Sequence, residues 1–234
     1  MLTDLELMDI HVRALFTHDE RSRLLCINEP GGGVVPAPRL FVGRTRSGNV
    51  RRFRSDLPES LVEELEALCA DESAGVEFGG MPRNVEGYVR LLEGHAPVRG
   101  MEAGPAYQFN EYVEPSRPLH SVMEASAELL RGGFEELIDE LPDWQPFVAV
   151  VLDGRAVSVC RSVRITQAAH EAGVETLPDF RGNGYAKDVT AGWARLVQTA
   201  GATPMYSTSW ENSASQAVAK RLRLALYGAD FHIT

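Results

Sequence analysis

The chain has 234 residues, enough for one large domain or two small ones, and its 44% hydrophobic and 24% charged fractions are ordinary for a soluble globular protein. A formal net charge of −10 argues against a general nucleic-acid binder, which needs a basic face to recover the free energy of counterion release. No run approaches the roughly 18 apolar residues of a membrane span. The start, Met1 to Glu6, is acidic where a secretory signal is basic, so a cytoplasmic location is expected. Cys26, Cys69 and Cys160 are an odd number without C-x-x-C spacing; they read as buried or inert thiols, with neither a disulfide framework nor a zinc site indicated.

In chain order, Gly31-Gly32-Gly33 before Pro36 and Pro38 reads as a loop, because no strand-to-helix context surrounds it. Phe41-Val42 and Val50 to Phe53 read as two strands around the turn composition Ser47-Gly48-Asn49. A helix follows, with Asp56 and Glu59 as a capping box and Leu61, Leu65 and Leu68 on one face, ending at Asp71 to Gly75. Residues 1–104 are expected to form a small α/β extension that walls a substrate site. Residues 105–234 are expected to form the main domain.

That second part opens on a strand at Ala106 to Phe109. Ser121 and Glu124 read as a capping box before Val122, Ala125, Leu129 and Leu130, and Gly132-Gly133 separates this helix from a second, with Phe134, Leu137, Ile138 and Leu141 as its apolar stripe. Pro146 to Leu152 and Ala156 to Ile165 read as strands joined by a hairpin at Asp153-Gly154, and a third strand begins near Ala172. A helix carries Tyr185, Val189, Trp193, Leu196 and Ala200 at helical spacing and stops at Gly201. Pro204 to Trp210 is a strand. Asn212 or Ser213 then caps a helix with Ala214, Val218, Leu222 and Ala225 as its stripe, and Phe231 to Ile233 is a closing strand.

The most telling segment is Val174 to Ala186, a strand that turns through Gly182 and Gly184 into the amphipathic helix. The first amides of a helix lack intrahelical partners, and with the positive end of the helix dipole they suit an anion. A Walker loop would need Lys-Ser or Lys-Thr after its last Gly, where Tyr185-Ala186 stand. A dinucleotide fingerprint would need a third small residue where Lys187 stands. What fits is R-x-x-G-x-A over Arg181, Gly184 and Ala186, which resembles the acyl-CoA pyrophosphate loop of the GNAT superfamily of N-acetyltransferases, here of bacterial type with an N-terminal extension. The element order from 105 to 234 is similar to the GNAT core, and Asn212 with Ser215 resembles the N-x-x-[AS] start of its fourth helix.

The resemblance implies a mixed α/β central sheet of GNAT type and transfer of an acyl group from acetyl-CoA to an amine by direct attack, without a metal. It implies that Gly182, Asn183, Gly184, Tyr185 and Ala186 hold the diphosphate beside Arg181, and that Val174 and Thr176 pair with the pantetheine like an added strand. A backbone N–H near Thr176 or Leu177 would polarise the thioester carbonyl, and Asn212 would bond the pantetheine arm. Glu171 and Glu175 are candidate proton acceptors, with His170 competing. Many family members carry a Tyr seven residues after the helix-four Asn; that position is Ala219 here, and Arg223 stands where Gly is usual. Ser215, Ser213, Tyr206 or a water would then serve the leaving thiolate.

Each residue also has a plainer reading. Arg181 can brace the loop, Asn212 can be only a helix cap, the glutamates can face solvent, and Trp193 and Trp210 suit a core. Two rival functions stay open. One is a GNAT-like domain that binds acyl-CoA without transfer, as a sensor or assembly module. The other treats Arg39, Arg44, Arg46, Arg51, Arg52 and Arg54 as a phosphate or nucleic-acid patch. The favoured partner is a small-molecule or protein amine, with no nucleic acid and no membrane, and with a homodimer as a candidate assembly.

Overall fold

Strands dominate the computed structural model, which describes residues 2–75 and 78–234. The elements run α1 (Asp4–Leu15), β1 (Phe16–His18), β2 (Leu24–Ile27), β3 (Leu40–Thr45), β4 (Asn49–Phe53), α2 (Glu59–Ala70), α3 (Val85–His95), β5 (Met101–Gln108) and β6 (His120–Ser121). They continue as β7 (Phe147–Leu152), β8 (Arg155–Ile165), β9 (Ala169–Thr176), α4 (Tyr185–Thr199), β10 (Thr203–Ser207), α5 (Ser213–Arg221) and β11 (Ala225–Ile233). None of the described helices is long and apolar enough to cross a membrane.

Nine strands form one mixed sheet in the order β4-β3-β11-β5-β10-β9-β8-β7-β6, and β1 with β2 forms a separate hairpin. Among the described residues β9 and β10 are the one parallel pair; every other ladder of the sheet is antiparallel. The two-residue strand period sorts side chains to opposite faces. Val148 and Val150 pack with Val189, Trp193 and Val197 of α4, while Phe147 and Ala149 meet Leu130, Phe134 and Leu137 on the other side. At the far end Phe41 packs with Leu7, Met8 and Val12 of α1, whereas Leu40 and Val42 meet Leu61, Leu65 and Tyr88 of α2 and α3.

Helix α1 is capped by Thr3, whose side chain accepts from Glu6 N while Glu6 accepts from Thr3 N, a reciprocal box that the sequence reading passed over. The boxes that were read from sequence do not form. Asp56 is held by Arg54 at 2.7 and 3.0 Å, and α2 starts after Pro58 with no side-chain cap. Ser121 lies in β6, and the two helices expected around Gly132-Gly133 are short 3-10 turns over 124–130 and 135–137. Their expected apolar residues Val122, Leu130, Phe134, Leu137 and Leu141 are nevertheless buried together.

The strand expected at 106–109 starts at Met101 and sits between β10 and β11 in the middle of the sheet, so residue 104 lies inside it. Gly104 is required there: an added Cβ would stand 1.6 Å from the carbonyl oxygen of Thr208. The closing strand is nine residues long and pairs with both β5 and β3, which carries the sheet from one expected domain into the other. Arg39 and Arg44 donate to buried backbone carbonyls, Arg46, Arg51 and Arg54 pair with Asp4, Glu66 and Asp56, and Arg52 pairs with Asp9. The arginine patch therefore dissolves into internal bonds and local ion pairs.

Candidate functional site

Strands β9 and β10 pair only at Ala169–Thr203, His170–Pro204 and Glu171–Met205 and then diverge. Beyond that point β9 keeps its ladder with β8, and Leu177 N donates to Val157 O at 3.0 Å. Backbone groups alternate along a strand, so those of Val174 and Thr176 point away from β8 and into the gap. Leu177 is thus excluded as the free N–H expected near the thioester, leaving Thr176. The gap widens into a cleft of about 820 Å³ lined by Val174 and Thr176 on one side, Tyr206 to Thr208 on the other, and Asn212, Ser215 and Val218 of α5 at its flank.

The floor is the loop before α4. Gly182 and Gly184 have φ of 80° and 81°, a left-handed geometry that a side chain resists, and Gly184 serves as the N-cap of α4. Among the described residues no acceptor meets the N–H groups from Gly182 to Lys187; the first bond of the helix is Asp188 N to Gly184 O at 3.2 Å. The Asn183 side chain turns back to the carbonyls of Phe180 and Arg181, at 3.1 and 3.2 Å, and so shapes the loop from outside the cleft. Arg181 does brace, its Nε donating to Thr176 O at 3.3 Å, while also lining the cleft. Arg117 lies over the Tyr185 ring at 4.4 Å and pins the start of the helix.

Residues 147–226 match a family model described as GNAT acetyltransferase. Residues 147–226 are thus similar to a GNAT acetyltransferase domain. The chain also shares the fold of a Drosophila protein of known structure, at 14% identity over 84% of this chain and 74% of that one, with a TM-score of 0.51. A GCN5-related N-acetyltransferase-like protein from Streptococcus suis aligns at 17% identity over 85% of each chain, TM-score 0.49. A GNAT-family chain from Novosphingobium aromaticivorans aligns at 15% identity over 58% of this chain and 65% of that one, TM-score 0.45. No curated protein matches the chain significantly.

Within the matched stretch, Asn212 caps α5 by accepting from Ser215 N at 3.0 Å through Oδ1, and it also lines the cleft, so cap and ligand readings coexist. Ser215 Oγ lies 2.6 Å from Tyr206 Oη, and burial pushes the phenol up to about 12 despite the hydrogen bond to Ser215. Helix α5 is rotated from the expected stripe: Ala214 and Val218 face the cleft, while Ala219 and Leu222 enter the core. Ala219 is 1% exposed, so it is a packing residue and not the place of a proton donor to the thiolate. Arg223 has φ of 55°, which accounts for a Gly preference there; it closes a Schellman turn with Leu224 N bonded to Ala219 O.

The proposed proton acceptors differ sharply. Glu175 lines the cleft but is paired with Arg161 at 2.6 Å. His170 lines no cavity described here; its Nδ1 meets Ser162 Oγ at 2.9 Å, and burial lowers its pKa. Glu171 is buried at the fork of the strands, accepting from Ser207 N and Oγ at 2.6 and 2.7 Å. Its other oxygen lies 3.5 Å from His11 Nδ1, and His11 Nε2 lies 3.0 Å from Asp230. Burial alone would lower the imidazole pKa, but the bonds to Asp230 and Glu171 hold it up at about 10. His11 is not legible in sequence because both its carboxylate partners are remote, and Lys187 and Arg221 at the cleft are not because a charged residue on a helix carries no distinguishing local signal.

Proposed function

We propose that this chain is an acyl-CoA-dependent N-acyltransferase, moving an acyl group, with acetyl the expected case, from CoA to an amine by direct attack in a ternary complex. The observation that carries this reading is the opening between β9 and β10, one end of which is floored by the unpartnered amides of Gly182 to Lys187. A splayed strand pair exposes backbone groups to an amide-bearing chain, and a helix N-terminus favours a diphosphate. The residues present suit CoA: Arg181, Lys187 and Arg221 add positive charge around those amides, and Val218 and Ala214 offer apolar surface.

When bound, CoA supplies an activated thioester carbonyl and a thiol of pKa about 8.5, low enough for the thiolate to leave unaided. Gly182 to Lys187 would hold its diphosphate, Val174 and Thr176 its amide arm, and the Asn212 side chain would add a polar contact. The Thr176 N–H is the donor best placed to polarise the carbonyl. The amine nitrogen bonds the acyl carbon as the carbon–sulfur bond breaks, and the proton lost from nitrogen ends on sulfur. Glu171, fixed by Ser207 and His11, is the carboxylate that would take that proton first; Ser215 or Tyr206 would return it. Positioning and carbonyl polarisation supply most of the rate in such a reaction.

The test is a thiol-release screen of amines with acetyl-CoA beside calorimetric titration of CoA. The expected result is consumption that is faster with some amine than without and that rises with pH as the amine loses its proton. Tight acetyl-CoA binding with no turnover across a broad amine panel would favour the acyl-CoA sensor instead.

A further inference from the structure

A second cavity, of about 350 Å³, lies between the end of α1, the β1–β2 hairpin and the sheet. Ser207 and Thr208 line both this cavity and the CoA cleft, so the end of β10 is the partition between them. That partition is pressed tightly into place: Thr208 rests against Gly104 with no room for a Cβ, and Trp210 N donates to Ala103 O at 3.1 Å. The second cavity therefore adjoins the gap between β9 and β10 at Ser207 and Thr208.

The walls of this cavity have two chemistries. Leu15, Phe16 and Ile27 give an apolar side. Facing them are the carboxylates of Glu102 and Asp230. Asp230 Oδ2 meets His11 Nε2 at 3.0 Å, while its Oδ1 accepts no hydrogen bond from the described residues. Glu102 is 76% exposed at its side chain and lies 3.6 Å from His232 Nε2. The guanidinium in the lining, Arg164, is taken by Glu29 at 3.1 and 3.2 Å, so it offers little to an anion. The same His11 that holds Asp230 also approaches Glu171, which is bonded to Ser207 on the partition. One buried side chain thus ties the carboxylate of the second cavity to the carboxylate at the strand fork.

We propose that this second cavity receives the acceptor, and that the acceptor is a small ammonium compound with a compact apolar body. Glu102 and Asp230 hold the ammonium group, and Leu15, Phe16 and Ile27 hold the body. A carboxylate pair selects a cation over a neutral isostere, and an apolar wall adds affinity for an alkyl or aryl group that a polyamine or aminosugar cannot use. The inference rests on the acyl-transfer reading for the word acceptor, but the cavity's ligand chemistry stands on its own residues.

Phenethylamine is the probe, 2-phenylethanol its neutral counterpart, and spermidine and a lysine-containing peptide the competing amine classes. Binding is read by calorimetry without CoA and by KM in the thiol-release assay with acetyl-CoA. Phenethylamine is expected to bind at least tenfold more tightly than 2-phenylethanol, and to show the lowest KM of the amines. Glu102→Gln, Asp230→Asn and Ile27→Ser are each expected to weaken it about tenfold or more while leaving CoA affinity unchanged. Glu102 is exposed and Ile27 partly buried, so those variants keep the test alive should Asp230→Asn fail to fold. Turnover of spermidine or the peptide without phenethylamine binding, or phenethylamine binding that none of the three variants alters, would overturn the proposal and leave the transferase reading standing. Loss of phenethylamine binding in Glu102→Gln, in a protein that binds no CoA, would uphold the cavity and remove the transferase reading.

Discussion

Residues 147–226 and residues 2–108 contribute to one sheet, yet they carry the information for it in opposite ways. In the first segment the partners are close in sequence: β7 meets β8 across Asp153-Gly154, β8 meets β9, and the glycine loop passes directly into α4. In the second, β1–β2 and β3–β4 are local hairpins, but the pairings that join it to the rest of the sheet are remote: Phe41 stands opposite His232, Leu40 opposite Ile233, and Tyr107 opposite Tyr206. The locally wired segment supplies the CoA cleft. The remotely wired one supplies the buried His11, Gly104 beneath Thr208, and the apolar wall and Glu102 of the second cavity. A site built across both needs the remote pairings to be correct before its chemistry exists.

The largest expected effect strikes where the two segments meet. His11→Ala leaves Glu171 and Asp230 buried without their shared cation, and breaking such a group costs about 3–5 kcal/mol. The pH dependence follows from the raised folded-state pKa. The stabilisation is fully present below the ordinary 6.5 and is lost as pH rises through about 10, so wild-type melts should fall across that window more steeply than those of His11→Ala. Parallel melting curves from pH 6 to 10.5 check this, and equal slopes would show that His11 is neutral in the folded protein.

Next in size is the loop of the local segment. Gly184→Val places a branched side chain at φ 81° beside amides that need a close approach. CoA affinity should drop about a hundredfold, near 2.7 kcal/mol, with the chain still folded. Calorimetry with a melt alongside decides it, and unchanged affinity would remove the diphosphate assignment. Gly104→Ala breaks the junction from the other side. With Thr208 O so close, overpacking of roughly 1–3 kcal/mol is expected, which for a chain of this size is a fall of about 2–12 °C in melting temperature.

Ala219→Tyr tests whether α5 was oriented correctly. Burial of Ala219 predicts a similar loss of roughly 1–3 kcal/mol and no gain in kcat, whereas a stable variant with faster turnover would return that position to the leaving-group side of the cleft. The smallest effect is expected for Arg223→Gly. It relieves about 1–2 kcal/mol of left-handed strain and gives back roughly 0.5–1 in glycine's chain entropy, so stability should rise by at most about 1.5 kcal/mol. Denaturant midpoints resolve a change of that size.

The cleft residues were legible because their signals are short-range. Gly182 and Gly184 in a strand-to-helix turn announce left-handed backbone, and an Asn just ahead of an apolar stripe at helical spacing announces a helix start. Val174, Thr176, Arg181, Tyr185, Ala186, Asn212 and Ser215 all line one cleft, while Asn183 shapes its loop from outside and Glu171 sits at its fork. Strand β5 was obscured by Gly104-Pro105, a pair that usually punctuates a chain. Here the glycine exists because another backbone lies against it, a fact no local window contains. The direction of α5 was misjudged for a related reason. Apolar periodicity reports that a face is shielded from water, and a face that borders a ligand cleft looks the same as one that enters the core.

By itself, the sequence determined the order of elements from Pro146 onward, the glycine loop, the cap at Asn212 and the family those features resemble, because each depends on dihedral preferences and periodicities within a few residues. Tertiary structure decided that the amino-terminal residues complete the same sheet, that Ala219 packs inward, that the arginines of the first segment are spent on internal bonds, and that His11 lies between Glu171 and Asp230. Those outcomes turn on contacts between groups up to 219 residues apart, His11 to Asp230 being the longest of them. Burial there raises the strength of every charge interaction, and no local preference encodes which charges will meet.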